Sequence, residues 1–392
     1  MAISPRIAEA MQQASWIRRM FERGTELKKK HGDAVCDFTL GNPVHEPPPA
    51  FFDALADLAT KRSHGFHRYM ANNGFPEVRE AVAAWIARAG IFAATAERCV
   101  MTVGAGGGLN VVIKTLCAPG DEVVIQDPYF AEYPFYIGNH GGVPVRVPPP
   151  PDFGLNLSAI DAAIGPRTAA VLVNTPNNPC GVVYAEAQCR ALGELLRAAS
   201  RRVGRTVYLV SDEPYRDLGF TDAPVPSPCS FYEQSLWVYS WSKALAIPGD
   251  RIGVIAVHPG FDDALVAGGL TFANRTLGFV NAPATMQRVV LALLGLQVGR
   301  DDYRKKARQV TAALDAMGLE YPAPGAGFYV FPRSPIDDET VFAERCLEEL
   351  VLIVPGRGFG VPGHFRLSFA VVDAVLERGL PALARAVAKT RG

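Results

Sequence analysis

Thr206-Val207-Tyr208-Leu209-Val210 runs directly into Ser211-Asp212-Glu213-Pro214-Tyr215, so an apolar, β-branched strand signal ends on a polar cluster with no linker between them. The same pairing recurs in both directions along the chain. The run 99–103 is followed by Gly104-Ala105-Gly106-Gly107-Gly108, and 122–126 by Asp127-Pro128-Tyr129-Phe130. The run 169–173 meets Asn174-Thr175-Pro176-Asn177-Asn178-Pro179, and 236–239 meets Ser240-Trp241-Ser242-Lys243. Two further runs, 143–147 and 252–257, bring the strand candidates to seven, with helical patterns between several of them, as at 109–117 and 185–201. Such alternation predicts an α/β fold: a mostly parallel seven-stranded sheet with helices on both faces. In an open sheet of this kind ligands bind beyond the carboxyl ends of the strands, where the chemically distinctive residues of this chain collect.

The flanks read differently. Residues 7–30 form an amphipathic helical arm that ends in the turn Gly41-Asn42-Pro43, and a proline-rich stretch comes next at 46–49. After about residue 281 two long helical patterns (284–296 and 303–317) lead to short strands at 327–331, 351–354 and 365–369, and a final helix spans 373–388. The expected organisation is an arm over 1–47, a large domain over 48–280 and a smaller α+β domain over 281–392 completed by the arm.

Composition narrows the function. Lys plus Arg number 39 and Asp plus Glu 39, so the net charge is zero, without the basic excess that nucleic acid or an anionic membrane surface demands. The apolar run 289–296 is far too short to span a bilayer, and MAISPRIAEA has no basic segment followed by an apolar one. Seven scattered cysteines include no C-x-x-C pair, as expected of reduced buried thiols in a cytoplasmic enzyme. His64 and His67 lack a third ligand, so no metal site is expected. A small-molecule function is the expectation.

The glycine cluster after 99–103 has the strand–glycine–helix layout that aims backbone N–H groups at a phosphate. The dinucleotide fingerprint fails because Leu109 stands where its last glycine belongs, and no Gly-Lys-Ser/Thr comes after it. The phosphate therefore belongs to something other than a nucleotide, which disfavours a nicotinamide-dependent dehydrogenase. Ser240-x-Ser242-Lys243, with Arg251 eight residues beyond the lysine, offers an amine nucleophile beside hydroxyls and a guanidinium suited to phosphate. A lysine is usually a solvated surface charge. This one follows a strand and precedes apolar Ala244 to Ile247, where burial lowers an amine's pKa and readies it for Schiff-base chemistry.

In these residues the chain resembles the fold type I pyridoxal-phosphate enzymes, specifically the class I aminotransferases, over almost its whole length, from Leu40-Gly41-Asn42-Pro43 to Phe365-Arg366-Leu367-Ser368-Phe369. The resemblance implies that Lys243 holds pyridoxal 5'-phosphate as an imine and then moves the substrate's α-proton. Asp212 would pair with the pyridine nitrogen, while Tyr215 and Asn178 would hydrogen-bond the ring's phenolic oxygen. Phe130 matches the aromatic that stacks on the ring, a position more often Trp or Tyr. The phosphate would be held by the backbone of Ala105 and Gly106, by Ser240 and Ser242, and by Arg251. Tyr69 matches a tyrosine that reaches the phosphate from a neighbouring subunit, which implies a homodimer with shared sites. Arg366 would clamp the substrate α-carboxylate, assisted by the Gly41 backbone and Asn178.

The resemblance thus implies amino-acid and 2-oxo-acid substrates, with glutamate and 2-oxoglutarate as the default pair. Two positions depart from the family pattern. Asn178-Pro179-Cys180-Gly181 replaces the usual Asn-Pro-Thr-Gly, and Gly106 stands where some aspartate-using relatives carry a lysine for the distal carboxylate. Arg18, Arg19 and Arg275 are the substitutes the sequence offers. The rivals are a lyase outcome from the same cofactor and a regulatory module, although no basic helix-turn-helix segment precedes Gly41.

Overall fold

The strand Thr168–Asn174 is buried along its whole length, and so is Ser235–Ser240. A strand covered on both faces is apolar at consecutive positions, which is why Ala169-Ala170-Val171-Leu172-Val173 shows no alternation. Both lie in the middle of a computed structural model that describes residues 3–13, 15–61 and 64–391, with the backbone alone for 6, 12, 13 and 15–22. In chain order, helices α1 (Pro5–Gln13) and α2 (Ser15–His31) lead to β1 (Cys36–Asp37), α3 (Pro49–Lys61) and α4 (Pro76–Arg88). Then come β2 (Cys99–Thr102), α5 (Gly104–Leu116), β3 (Glu122–Gln126), α6 (Tyr133–Asn139), β4 (Val143–Val147), α7 (Leu157–Ala163), β5 (Thr168–Asn174) and α8 (Glu186–Val203). They are followed by β6 (Tyr208–Asp212), β7 (Ser235–Ser240), α9 (Trp241–Ala244), β8 (Gly253–Val257), α10 (Val266–Thr276), α11 (Ala284–Ala292) and α12 (Arg300–Ala316). The chain closes with β9 (Tyr329–Val330), α13 (Glu339–Glu348), β10 (Val351–Leu352), β11 (Val354–Pro355), β12 (Phe365–Ser368) and α14 (Asp373–Arg391).

Seven strands form one sheet in the order β2-β8-β7-β6-β5-β3-β4. Only β8 runs against its neighbours, so the other six end at the same edge. Side chains alternate between the faces. Val123 and Ile125 join the layer of α5 and α10, whereas Val124 joins that of α7 and α8. Farther along the sheet, Trp237 and Val254 pack beneath α3 and α4. Helix α11 also packs there, through Met286, Val289 and Val290, although the sequence pattern groups it with the C-terminal domain. Two small sheets complete the fold: β1 pairs with β10, joining the arm to the C-terminal part, and β11-β12-β9 forms the other. Both rest on α12, α13 and α14.

Several sequence expectations need correction. The glycine cluster is not a loop ahead of a helix starting at 109, because α5 begins at Gly104 itself. Gly107 and Gly108 lie buried in that helix, and a Cβ on Gly108 would stand 3.2 Å from Val238 and 3.4 Å from Ile255. Close packing on the sheet thus overrides glycine's poor helix propensity. The run 351–354 is not one strand, since β10 and β11 belong to different sheets. The arm holds two helices, with residue 14 between them outside the described residues. Helices α3 and α4 come after the arm, each opening on a proline at its first position.

Gly253 fixes the distance between β8 and the start of α5. A Cβ there would meet the Tyr239 carbonyl oxygen at 2.6 Å and the Gly104 backbone at 2.8 Å. We expect Gly253→Ala to destabilise the protein by roughly 2 kcal/mol, read as a lower denaturant midpoint, and to loosen cofactor retention by displacing Gly104.

Candidate active site

The carboxyl ends of β2, β5, β6 and β7 border a cavity of about 400 Å³. Every site residue singled out from the sequence lines it except Tyr69, whose side chain is 89% exposed. Arg275, considered for a distal carboxylate, lies instead in a surface hollow with Asn72 and Glu97. The side chains of Arg18 and Arg19 lie outside the described residues.

Lys243 sits in the one-turn helix α9, whose N-cap is Ser240, accepting from the Ser242 N–H at 3.2 Å. Its Nζ donates to the Gly41 carbonyl at 2.8 Å, tying the arm to the large sheet. Burial, then the charges of Arg251 and Arg366, lower its pKa to about 8. Roughly a tenth of the amine is therefore free at pH 7, far more than for a solvated lysine.

Asp212 closes β6, buried, with Oδ2 accepting from the Tyr133 hydroxyl at 2.6 Å. Its Oδ1 is buried without a partner. Burial raises this carboxyl to about 7, with Tyr133 opposing the rise and the Glu213 charge adding to it. Glu213, equally buried, makes a contrast. Its oxygens accept from Ser211 at 2.7 Å, Ser227 at 2.5 Å and Arg216, so it is fully partnered. An unpartnered buried carboxylate oxygen on a cavity wall suits a protonated ring nitrogen.

Arg366 leaves β12 toward the same cavity. Its Nη1 donates to Asn178 Oδ1 at 3.0 Å and its Nη2 to the Thr39 carbonyl at 2.7 Å, while Nε is buried and unpartnered. The Tyr329 and Phe359 rings flank the guanidinium at 4.6 and 4.9 Å and hold its plane. Asn178 is set by its own N–H on Asn174 Oδ1 at 2.7 Å, and Asn174 also donates to the Asp212 carbonyl at 2.8 Å. Tyr215 is buried against Tyr329, and Lys243 Nζ lies 5.9 Å from its ring centroid. A side chain on Gly41 would run into the Tyr329 hydroxyl.

At the other end, Ala105 and Gly106 of the first turn of α5, where a helix leaves its N–H groups without intrahelical partners, line the cavity together with Ser240, Ser242 and Arg251. The two serine hydroxyls lie 2.6 Å apart, and Arg251 Nη1 is held by the Pro248 carbonyl at 2.8 Å. Gly104 at φ +69° leaves room for Arg251, whose Nη2 is 2.6 Å from where a Cβ would be. The donor set fits a phosphate, and the orphaned Asp212 oxygen fits a pyridinium.

Sequence reasoning missed Tyr133, Tyr136, Asn174, Tyr329 and Thr39. Phe130, Tyr133 and Tyr136 recur every third residue, a spacing that reads equally well as a core-facing helix stripe.

Fold and cavity define a fold type I pyridoxal-phosphate enzyme. The family model for aminotransferase class I and II matches residues 33–383. A probable aspartate/prephenate aminotransferase of Thermus aquaticus is 33% identical over 373 residues, covering 93% of this chain and 94% of its own. The aspartate/prephenate aminotransferase of Thermus thermophilus is 32% identical, with 94% of each chain covered. Among solved structures, an amino transferase from Eubacterium rectale superposes with a TM-score of 0.94 at 31% identity, covering 100% of both chains. Aspartate aminotransferase from Thermus thermophilus with maleate gives 0.88 at 30% identity, covering 98% of this chain and 100% of its own. The chain belongs to the class I and II aminotransferases. It is a pyridoxal-phosphate-dependent transferase acting between amino acids and 2-oxo acids.

The Asp212 carboxyl has an ordinary value of 3.8, raised to about 7 in the fold. Between these values the native state holds a proton that the unfolded chain has released, so folding loses stability as pH rises through this window. The cost of burying the charge is complete above about pH 7. Asp212→Asn apoprotein should therefore melt several degrees higher than wild type at pH 8. That gain should fade toward pH 4, as followed by calorimetry across pH.

Proposed function

We propose that the two ends of this cavity divide the labour of amino transfer, with Lys243 between them. The observation that carries the reading is the arrangement of three cations, Lys243, Arg251 and Arg366, around one cavity with the unpartnered oxygen of Asp212. Pyridoxal phosphate, when bound, supplies an aldehyde that carries the amino group and a ring that accepts the electron pair left by the α-proton. The backbone of Ala105 and Gly106, the hydroxyls of Ser240 and Ser242 and the Arg251 guanidinium hold the phosphate. Asp212 holds a proton on the ring nitrogen, kept in place by Tyr133. Tyr215 and Asn178 donate to the phenolic oxygen, and Phe130 lies against the ring face. Arg366 takes the α-carboxylate of the amino acid, with Asn178 and the Gly41 backbone beside it, and so orients the α C–H bond. Lys243, neutral in part near pH 8, takes that proton on Nζ and returns it.

The sequence division at residues 47 and 280 fits a large domain that carries the seven-stranded sheet and a smaller one in which β1 joins β10, with α11 packing back across the second boundary. The exposure of Tyr69 and its place outside its own chain's cavity suit a residue that serves a second copy, and hence a homodimer. All seven cysteines are unpaired and buried, in keeping with a cytoplasmic setting. Among the described residues no helix is long and apolar enough to cross a membrane.

Among the described residues no cation lining the cavity remains for a second carboxylate once Lys243, Arg251 and Arg366 are assigned. Amino donors with uncharged side chains, aromatic ones included, are thus favoured over aspartate, although the relatives' names make aspartate and prephenate the first comparisons to run. Spectroscopic half-reactions with a panel of amino acids test this. Phenylalanine or tyrosine should discharge the cofactor absorbance faster than aspartate, and a faster aspartate reaction would overturn the preference. 2-Oxoglutarate is the acceptor to supply.

Covalent capture of pyridoxal phosphate by apoprotein should accelerate as pH rises through about 8, not through the ordinary lysine value of 10.5. Borohydride reduction and peptide mapping should place the label on Lys243, and Lys243→Ala should retain none. Label on another lysine would defeat the assignment.

A further inference from the structure

Helices α5 and α6 lie side by side at the phosphate end of the cavity. Where α6 ends, the His140 ring approaches the Asn110 amide of α5 at 3.3 Å, and Asn110 donates to the Gly106 carbonyl at 2.9 Å. One turn earlier Gly106 has no side chain, and the Tyr136 hydroxyl occupies the space, 3.0 Å from where a Cβ would stand. Tyr136 lines the cavity, is partly buried, and its hydroxyl has no hydrogen-bond partner among the described residues. The side chains whose charges act on it are Glu132, Asp212 and Arg251. Arg251 belongs to the phosphate end and Asp212 to the ring-nitrogen end, whereas Arg366 is absent from the set. Burial, Glu132 and Asp212 push its pKa up to about 12, so the phenol keeps its proton and acts as a donor.

We propose that Tyr136 is a further cofactor-binding residue whose hydroxyl donates to the phosphate at the N-terminus of α5. The inference rests on the phosphate cradle read above for Ala105, Gly106, Ser240, Ser242 and Arg251. A phosphate dianion offers more acceptor positions than those groups fill, and a phenol bordering the same helix terminus adds a neutral donor without adding charge. Gly106 makes this possible, since a side chain there would displace the hydroxyl.

The test uses apoprotein, with equilibrium binding of pyridoxal phosphate and of pyridoxal, which lacks the phosphate, followed by quenching of intrinsic fluorescence. Tyr136→Phe keeps the ring packing and removes only a hydroxyl that no described residue bonds, so its thermal midpoint should match wild type. It should weaken pyridoxal phosphate about tenfold and leave pyridoxal within about twofold, with weaker competition by inorganic phosphate. Arg251→Gln serves as the control for the cradle. If Arg251→Gln weakens pyridoxal phosphate and Tyr136→Phe does not, the role of Tyr136 is overturned and the cradle stands. Equal weakening of both ligands by Tyr136→Phe also overturns it, by placing the hydroxyl's effect on the ring. If neither substitution discriminates between the two ligands, the cradle itself is misplaced and the inference falls with it.

Discussion

The amine of Lys243 shares one cavity with two guanidiniums, and this crowding of positive charge is the constraint on which the site depends. Removal from water disfavours the ammonium form, and Arg251 and Arg366 disfavour it further, so its pKa falls to about 8. Each arginine is fixed by groups that do not neutralise it: carbonyl and amide oxygens for Arg366, a carbonyl for Arg251. Both charges stay available to anions in the cavity, in the proposed assignment a phosphate at one end and a carboxylate at the other. A salt bridge to either guanidinium would stabilise the empty protein and spoil it for the ligand. The fully partnered Glu213–Arg216 pair, one residue from Asp212, shows what such a bridge looks like in this fold.

The large sheet makes that crowding possible. Six strands end at one edge, and side chains from β6, α9 and the segment after β5 converge there without any local sequence connection. Gly41 and Arg366 come from the far ends of the chain, held by β1–β10 pairing and by β12. The Lys243–Gly41 hydrogen bond spans the two parts directly. The lysine is therefore shared between the arm and the large sheet.

Much of this was legible because strand ends are written in sequence. A run such as Leu236-Trp237-Val238-Tyr239 that stops at Ser240 marks both the strand and the place where its chemistry begins. The exact ends were less legible: Ser211 and Asp212 belong to β6 itself, since a polar residue keeps its place in the ladder when its side chain is bonded, as Ser211 is to Glu213, or faces the cavity, as Asp212 does. Glycine propensity hid the first turn of α5, where packing on Val238 and Ile255 outweighs it. Tyr133 was hidden for another reason. Its role depends on Asp212, which lies 79 residues away, and an aromatic at helical spacing carries no mark of its hydroxyl's partner. Thr39 and Tyr329, which brace Arg366 and Gly41, were out of reach because only the tertiary fold brings them there.

Stability and function pull against each other at two groups in this cavity, and the signs are the same. The fold raises the Asp212 carboxyl to about 7 and lowers the Lys243 amine to about 8. Near neutral pH each shift works against the ionised group and so against the empty fold. In the proposed assignment, a cofactor with a cationic ring nitrogen and an aldehyde would remove both penalties, pairing with the first group and converting the second. Cofactor binding is then linked to folding through these two ionisations as well as through contact area. Residues that improve the empty protein, by satisfying the Asp212 oxygen or diluting the charge around Lys243, lessen what the cofactor gains on entering. The Asp212 oxygen and the three cations therefore form one set, each left by the fold without a counter-charge where, in the proposed assignment, a different part of one ligand would supply it.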